Sequence, residues 1–278
     1  MMQGQGLTYE NLNSLPIWAH MASITLDEMR DVKLMNRIDT KYVLSEGEVL
    51  TLLEHMAECG YLVQVIDGVR ACRYDTLYYD TAERDMYVAH HNRQLTRQKV
   101  RTRTYIESGL TFLEIKNKNN RGRTKKRRTE IPREAFDAFA SNAAATEFYR
   151  DKGRYAYNTI TPALSTRFVR ITLVNPRLTE RLTIDLALEY KDMRSNTHAT
   201  IPTMAIVELK QDGNVISDLK RTMLNMRICP LKVSKYCLGT TLTVDDIKHN
   251  RFKAKLRNIA KRLGTTEIIN NQQITTTP

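Results

Sequence analysis

The chain has little that would hold it together covalently or place it in a lipid bilayer. Its 278 residues include four cysteines, Cys59, Cys72, Cys229 and Cys237, with no C-x-x-C spacing and few soft ligands nearby. That pattern argues against a zinc cluster, suits a reducing compartment, and reads the four as packing residues. No apolar run approaches the roughly 20 residues that a membrane-spanning helix requires. Met1 to Met21 has neither a basic n-region nor an apolar h-region, so no secretory signal and a cytoplasmic location are expected. Neither G-x-x-x-x-G-K nor G-x-G-x-x-G occurs, which excludes those two ways of seating a nucleotide at a helix N-terminus. There is one tryptophan and no RNP-type run of paired aromatics, so a specific nucleic-acid partner is not expected.

What the chain does have is positive charge, unevenly placed. The net charge is +12, with 41% hydrophobic and 27% charged residues, enough apolar material for a core and too much for general disorder. Between Arg93 and Arg128 stand 13 basic residues against only Glu107 and Glu114, a net of +11. Asp245 to Leu263 adds a further +5, and the remainder of the chain is net acidic. A cationic concentration of this kind calls for an acidic partner.

Ser45 and Glu48 form a capping box ahead of Val49, Leu52, Leu53 and Met56, and the i, i+3, i+4, i+7 spacing predicts a helix from Ser45 to Glu58. Alternating β-formers predict strands at Tyr61–Ile66, Ala71–Tyr79, Gln94–Glu107, Thr111–Lys118 and Arg123–Ile131, read as an antiparallel meander. A helix is expected from Pro132 and another near Glu147–Tyr155. Strands follow at Ala163–Val174, Arg181–Glu189 and Thr203–Lys210, then a helix carrying Ile216, Leu219, Met223 and Met226. A short extended piece at Leu231–Tyr236 precedes a final basic helix over Val244–Leu263. Residues 1–30 read as a lead segment, 31–263 as one domain, and 264–278 as a polar tail.

Residues of one parity share a face of a strand. Arg97, Lys99, Arg101, Arg103 and Tyr105 therefore point one way, with Val100, Thr102, Thr104 and Ile106 opposite. Glu114, Lys116 and Lys118 repeat the pattern against Leu113 and Ile115, and the next strand holds Arg123, Lys125 and Arg127 together. The same alternation recurs in Arg37-x-Asp39-x-Lys41, Arg181-x-Thr183-x-Asp185 and Glu208-x-Lys210, and Lys232 and Lys235 flank Ser234. Crowded cations repel unless water or a polyanion lies between them. With the apolar parity buried under helices, the basic parity lines the inside of a closed sheet. Carboxylates set among such cations suit metal-assisted phosphate chemistry.

Arg37-x-Asp-x-Lys-Tyr42, Tyr78-Tyr-Asp-Thr81, Arg97-x-Lys-x-Arg-x-Arg-x-Tyr105, Phe112-Leu-Glu-Ile-Lys116, Arg181-x-Thr-x-Asp185, Val207-Glu-Leu-Lys210 and Ser234-Lys-Tyr236 together resemble the polyphosphate polymerase (VTC) domain of the vacuolar transporter chaperone, a branch of the triphosphate tunnel metalloenzymes. The similarity runs from about Met35 to Gly239. The order of strands and helices already reads as an α+β fold, and the resemblance implies a closed antiparallel β-barrel tunnel of about eight strands with helices packed outside. It further implies transfer of the ATP γ-phosphoryl group onto polyphosphate, with Mn²⁺ or Mg²⁺ on a tunnel glutamate.

Carried over by position, the resemblance implies Arg101, Arg103, Arg167, Arg181 and Glu208 as the catalytic set, with Glu208 on the metal. Lys41, Lys99, Lys116, Lys126, Lys210, Lys232, Ser234 and Lys235 join those four arginines in holding phosphate. Within Lys125–Arg128 the register is open, and Lys126 is the choice. Tyr78, Tyr79 and Asp80 read as packing and turn residues, and the adjacent His90 and His91 as non-ligands. No phosphate-sensing helical domain or membrane helix accompanies the motifs, so a stand-alone soluble form is expected, with a membrane partner left open. Two alternatives remain: a tripolyphosphatase or nucleoside triphosphatase of the same fold, and a non-catalytic polyanion binder.

Overall fold

The computed structural model describes residues 6–32, 37–213 and 215–265. In chain order its strands are β1 (Ser23–Ile24), β2 (Arg37–Ser45), β3 (Leu62–Gln64), β4 (Ala71–Thr81), β5 (Arg97–Tyr105), β6 (Thr111–Lys118), β7 (Thr124–Glu130), β8 (Ile160–Val174), β9 (Glu180–Asp192), β10 (His198–Ile201) and β11 (Met204–Asp212). The helices are α1 (Tyr9–Asn13), α2 (Glu46–Glu58), α3 (Asp85–His91), α4 (Ala143–Lys152), α5 (Asp218–Asn225), α6 (Lys235–Thr243) and α7 (Lys253–Leu263).

Eight strands hydrogen-bond in the order β2-β11-β9-β8-β4-β5-β6-β7, every neighbouring pair antiparallel. The sheet curls round a cavity of about 1120 Å³ that its strands line in common. Closure, however, is not reached. Among the described residues β2 and β7 are not paired, so the sheet is an open half-barrel rather than the expected closed barrel. The reason lies in β7, whose sequence Thr-Lys-Lys-Arg-Arg-Thr-Glu is polar at both parities and almost wholly exposed. It has no apolar face to bury against a further strand. The cavity wall is instead continued by Lys232–Lys235, α6 and α7, with Leu238, Leu256 and Ile259 turned toward it and α7 packed beside β2.

The apolar parity of the strands builds the outer cores. Ile171, Leu173, Leu182, Ile184, Leu186, Val207 and Leu209 pack against Val49, Leu52, Leu53 and Met56 of α2, each such burial worth about 1.5–3 kcal/mol. The capping box forms as read: the Ser45 hydroxyl accepts from the Glu48 N–H at 3.3 Å and the Glu48 carboxylate accepts from the Ser45 N–H at 2.8 Å. The lead segment is part of this core, since Leu12 and Trp18 are buried in it. Val100, Leu113 and Ile115 pack on Phe139 and Tyr149 of the α4 region. At one end of the half-barrel Val43, Leu188 and Ile206 are covered by Tyr236 of α6 and by Leu256 and Ile259 of α7.

Several elements differ from expectation. The Pro132 segment forms two short 3₁₀ turns, Arg133–Ala135 and Phe139–Ser141, not one helix. The helix expected near Glu147–Tyr155 runs Ala143–Lys152, capped by the Asn142 side chain. Ile216 lies outside α5 and is 89% exposed. The extended piece at Leu231–Tyr236 gives way to α6, with Ser234 as its N-cap, and the last helix begins at Lys253, not Val244. Cys72 and Cys237 are buried, whereas Cys59 and Cys229 are exposed and pack little. Residues 266–278 of the expected tail lie outside the described residues.

Candidate functional site: a cationic half-barrel

Register decides which cations meet in the cavity. Lys41 lies opposite Glu208, Asp39 opposite Lys210, and Lys210 opposite Arg181. Arg170 faces Asp185 across β8–β9, Arg101 lies between Tyr78 and Glu114, and Lys116 lies between Lys99 and Lys126. Lys41, Lys99, Arg101, Arg103, Lys116, Lys126, Arg181, Glu208, Lys210, Lys232, Ser234 and Lys235, all named from the sequence, line this one cavity.

Three carboxylates tie the middle of the cavity together. Glu114, wholly buried, accepts from Arg101 Nε at 2.6 Å and contacts Lys126. Asp185 takes a two-pronged bond from Arg170, at 2.5 Å from Nε and 2.9 Å from Nη2, and also contacts Lys235. Glu208 contacts Lys210 and lies 3.3 Å from Lys41. Arg103 donates from Nε to the Thr76 hydroxyl at 3.0 Å, its guanidinium 5.4 Å from the Tyr74 ring centre and 5.5 Å from that of Phe168. The Arg181 Nε is buried with no hydrogen-bond partner among the described residues, a donor held for an acceptor.

These contacts move protonation equilibria. Burial opposes ionisation of Glu208, yet Lys210 and Lys41 outweigh it and hold the carboxyl well below the usual range. Asp185 is likewise lowered, burial being overcome by Arg170 and Lys235. The lysines move the other way. Burial pulls Lys235 down to about 7 and Lys210 down to about 8 despite their carboxylate partners. Lys116 falls well below its ordinary value, mainly through Arg101 and then burial.

Toward the end covered by α6 and α7 the balance disappears. Arg93, Arg97, Lys99, Lys118, Lys232, Arg251 and Lys255 all line the cavity, and among the described residues none of them pairs with a carboxylate. Lys99 donates to the Ser234 hydroxyl at 2.8 Å and Lys255 to the Lys232 carbonyl at 2.8 Å. Lys118 is lowered by Arg97, burial and Lys232, and His90 falls to about 2 through burial and the nearby Lys99 and Arg97, so its ring is neutral.

Two expectations need correction. Arg167 does not enter the cavity: its side chain is 69% exposed and pairs with Asp75 at 3.3 Å on the outer surface. The arginine that β8 does contribute is Arg170, 15% exposed. The missed signal was parity: Arg170 and Thr172 alternate with the core residues Val169, Ile171 and Leu173, and an irregularity in the β8–β9 pairing between Arg167 and Val169 changes the register there. On β7 the cavity takes Thr124, Lys126 and Arg128, the parity opposite to Arg123, Lys125 and Arg127.

Among the described residues no three His, Cys, Asp or Glu side chains gather as a metal cage. The donor set therefore fits a hard divalent ion only as one that shares Glu208 with phosphate oxygens, the mode in which Mg²⁺ is commonly bound beside nucleotides.

The sequence model of a family described as the VTC domain matches residues 36–244. No curated protein matches the chain. Solved structures that resemble it include a candidate adenylyl cyclase from Hippeastrum with a dominant triphosphatase activity, at 15% identity over 77% of this chain and 100% of that one, TM-score 0.47. Candidate adenylate cyclases from Bacillus halodurans (11%, 72% and 96%, TM-score 0.45) and Vibrio parahaemolyticus (11%, 73% and 96%, TM-score 0.42) also resemble it. Among the described residues no helix is long and apolar enough to cross a membrane.

Proposed function

The chain belongs to the VTC-domain family, and from that premise we propose that it is a metal-dependent polyphosphate polymerase that moves the γ-phosphoryl group of ATP onto a phosphate chain. The observation that carries this reading is the extent of the cationic lining. The carboxylate-tied middle of the cavity already offers Arg101, Arg103, Arg170, Arg181, Lys41 and Lys210 to a triphosphate. Seven further cations, which among the described residues have no carboxylate partner, extend beyond it. A hydrolase, whose acceptor is water, needs only the first group; a growing polyanion uses both.

Phosphoryl transfer depends on positioning and charge neutralisation more than on a protein nucleophile. Arg101, Arg103, Arg170 and Arg181 hold the β- and γ-phosphates, and because Glu114, Asp185, Thr76 and the aromatic rings already fix three of these guanidiniums, little reorganisation accompanies binding. An oxygen of the chain's terminal phosphate attacks the γ-phosphorus, the bond between that phosphorus and the bridging oxygen breaks, and ADP leaves with that oxygen. Lys235 and Lys210, depressed by burial, take up protons beside the incoming charge. Mn²⁺ or Mg²⁺, held by Glu208 and phosphate oxygens, would neutralise charge on the phosphates. The test is ATP turnover with Mn²⁺ in the wild type, Arg103→Ala and Glu208→Ala. Each substitution is expected to remove about 2–5 kcal/mol of binding or transition-state stabilisation; unchanged turnover in both would overturn the site.

A further inference from the structure

β4 ends in Asp80, a carboxylate with no exposed surface. Among the described residues no cation pairs with it, since the neighbouring Arg84 is taken by Asp192. Its partners are all neutral donors. Oδ1 accepts from the backbone N–H of Thr81 at 2.8 Å and of Met86 at 2.9 Å; Oδ2 accepts from the N–H of Tyr87 at 3.0 Å and from the phenol of Tyr236. Burial raises the Asp80 pKa, with the hydrogen bonds from Tyr236 and the first turn of α3 opposing the rise.

A buried carboxylate without a cation is a costly means of holding a fold together, and an ordinary Ser or Asn would suffice to cap α3. Two full acceptor oxygens are needed only because a second element is tied as well. That element is α6. Tyr236 is its second residue, 1% exposed, with its ring 5.0 Å from Tyr78 and 6.4 Å from Tyr87. The residue before it, Lys235, contacts Asp185 in the cavity, and Ser234 both caps α6 and receives the Lys99 hydrogen bond. Tyr78 in turn lies beside Arg101, whose Nη1 donates to its hydroxyl at 3.4 Å.

We propose that Asp80 is a positioning residue for phosphoryl transfer: through Tyr236 it fixes the first turn of α6, and thereby where Lys235 and Ser234 stand in the cavity. It touches no substrate. The proposal rests on the reading that the cavity holds a triphosphate.

Tyr236→Phe keeps the ring packing and removes only the hydroxyl that donates to Asp80. Inorganic tripolyphosphate binding to the full chain, followed by calorimetry, is expected to weaken roughly tenfold in Tyr236→Phe, and by less than about twofold when the same change is made in a Lys235→Met background, the non-additivity of groups acting through one another. Asp80→Asn, which retains one acceptor oxygen in place of two, is expected to shift binding in the same direction. Equal losses in both backgrounds, or no loss in either, would overturn the proposal. A second readout requires no ligand: acetic-anhydride labelling of Lys235, read by mass spectrometry, should rise severalfold in Tyr236→Phe, and an unchanged rate would also overturn it. Wild-type protein that binds no tripolyphosphate while this labelling still rises would sink the triphosphate reading and leave the positioning of Lys235 standing.

Discussion

The middle of the cavity and its α6–α7 end are both crowded with cations, yet they are built differently. In the middle, Glu114, Asp185 and Glu208 each hold two cations, so the positive groups are fixed before any anion arrives. At the end, Arg97, Lys118, Lys232 and Lys255 stand without carboxylates among the described residues, Arg97 donating to the Gln94 carbonyl and Lys255 to the Lys232 carbonyl. A carboxylate-tied arginine such as Arg101 or Arg170 serves the fold and the ligand at once; an untied cation works against the fold and gains only when a polyanion comes. Substitutions in the two regions should therefore differ in the sign of their effect on stability as well as in their effect on binding.

The largest effect is expected at Arg170→Ala. It leaves Asp185 buried with Lys235 alone, and removing one partner of a buried pair costs about 3–5 kcal/mol. Urea unfolding should show that loss, and ATP turnover should fall with it. A variant as stable as the wild type would mean that the middle is not tied together in this way.

pH should act next. Lys235 and Lys210 titrate near 7 and 8 in the folded chain against roughly 10.4 when unfolded. The unfolded state thus binds more protons across that interval, and the contribution of these two lysines to stability rises as pH increases from about 7 to 10. Ligand binding runs the other way, because charged lysines favour phosphate. Tripolyphosphate affinity is expected to tighten roughly tenfold as pH falls from 9 to 7, with proton uptake visible as a buffer-dependent enthalpy; affinity that weakened over this range would contradict it.

At the other end, the double change Arg97→Gln and Lys255→Gln should leave thermal stability equal or slightly higher, since like charges are removed. It should weaken long polyphosphate severalfold and flatten the salt dependence of its binding, by analogy with counterion release from other polyanions. A marked fall in stability would place these cations in the fold after all. The smallest effect belongs to Arg167→Ala, a surface pair for which about 0–1 kcal/mol is usual, with turnover unchanged; a large loss of turnover would restore Arg167 to the site.

Strand parity made most of this arrangement legible from the sequence. It placed Arg97 to Arg103, Lys116, Arg181, Asp185, Glu208 and Lys210 on one face because each alternates with residues that belong in a core. The same rule pointed to Arg170, whereas the resemblance implied Arg167, whose parity is that of the core residues Val169 and Ile171. β7 resisted because Lys125 to Arg128 are four consecutive cations, and a two-residue period cannot be read where both parities are alike. α6 resisted for the opposite reason. Residues Tyr236 to Thr241 are buried all round, so no amphipathic stripe marks the helix. Closure of the sheet was inferred from the same parity and implied again by the resemblance, and the polar sequence of β7 was the local sign against it.

The most direct test of the account is the identity of the product. Purified protein incubated with ATP and Mn²⁺, its products resolved on a gel that separates phosphate chains by length, should yield a ladder of polyphosphate together with ADP. ADP with free phosphate and no chains would contradict the polymerase reading and show that water is the acceptor.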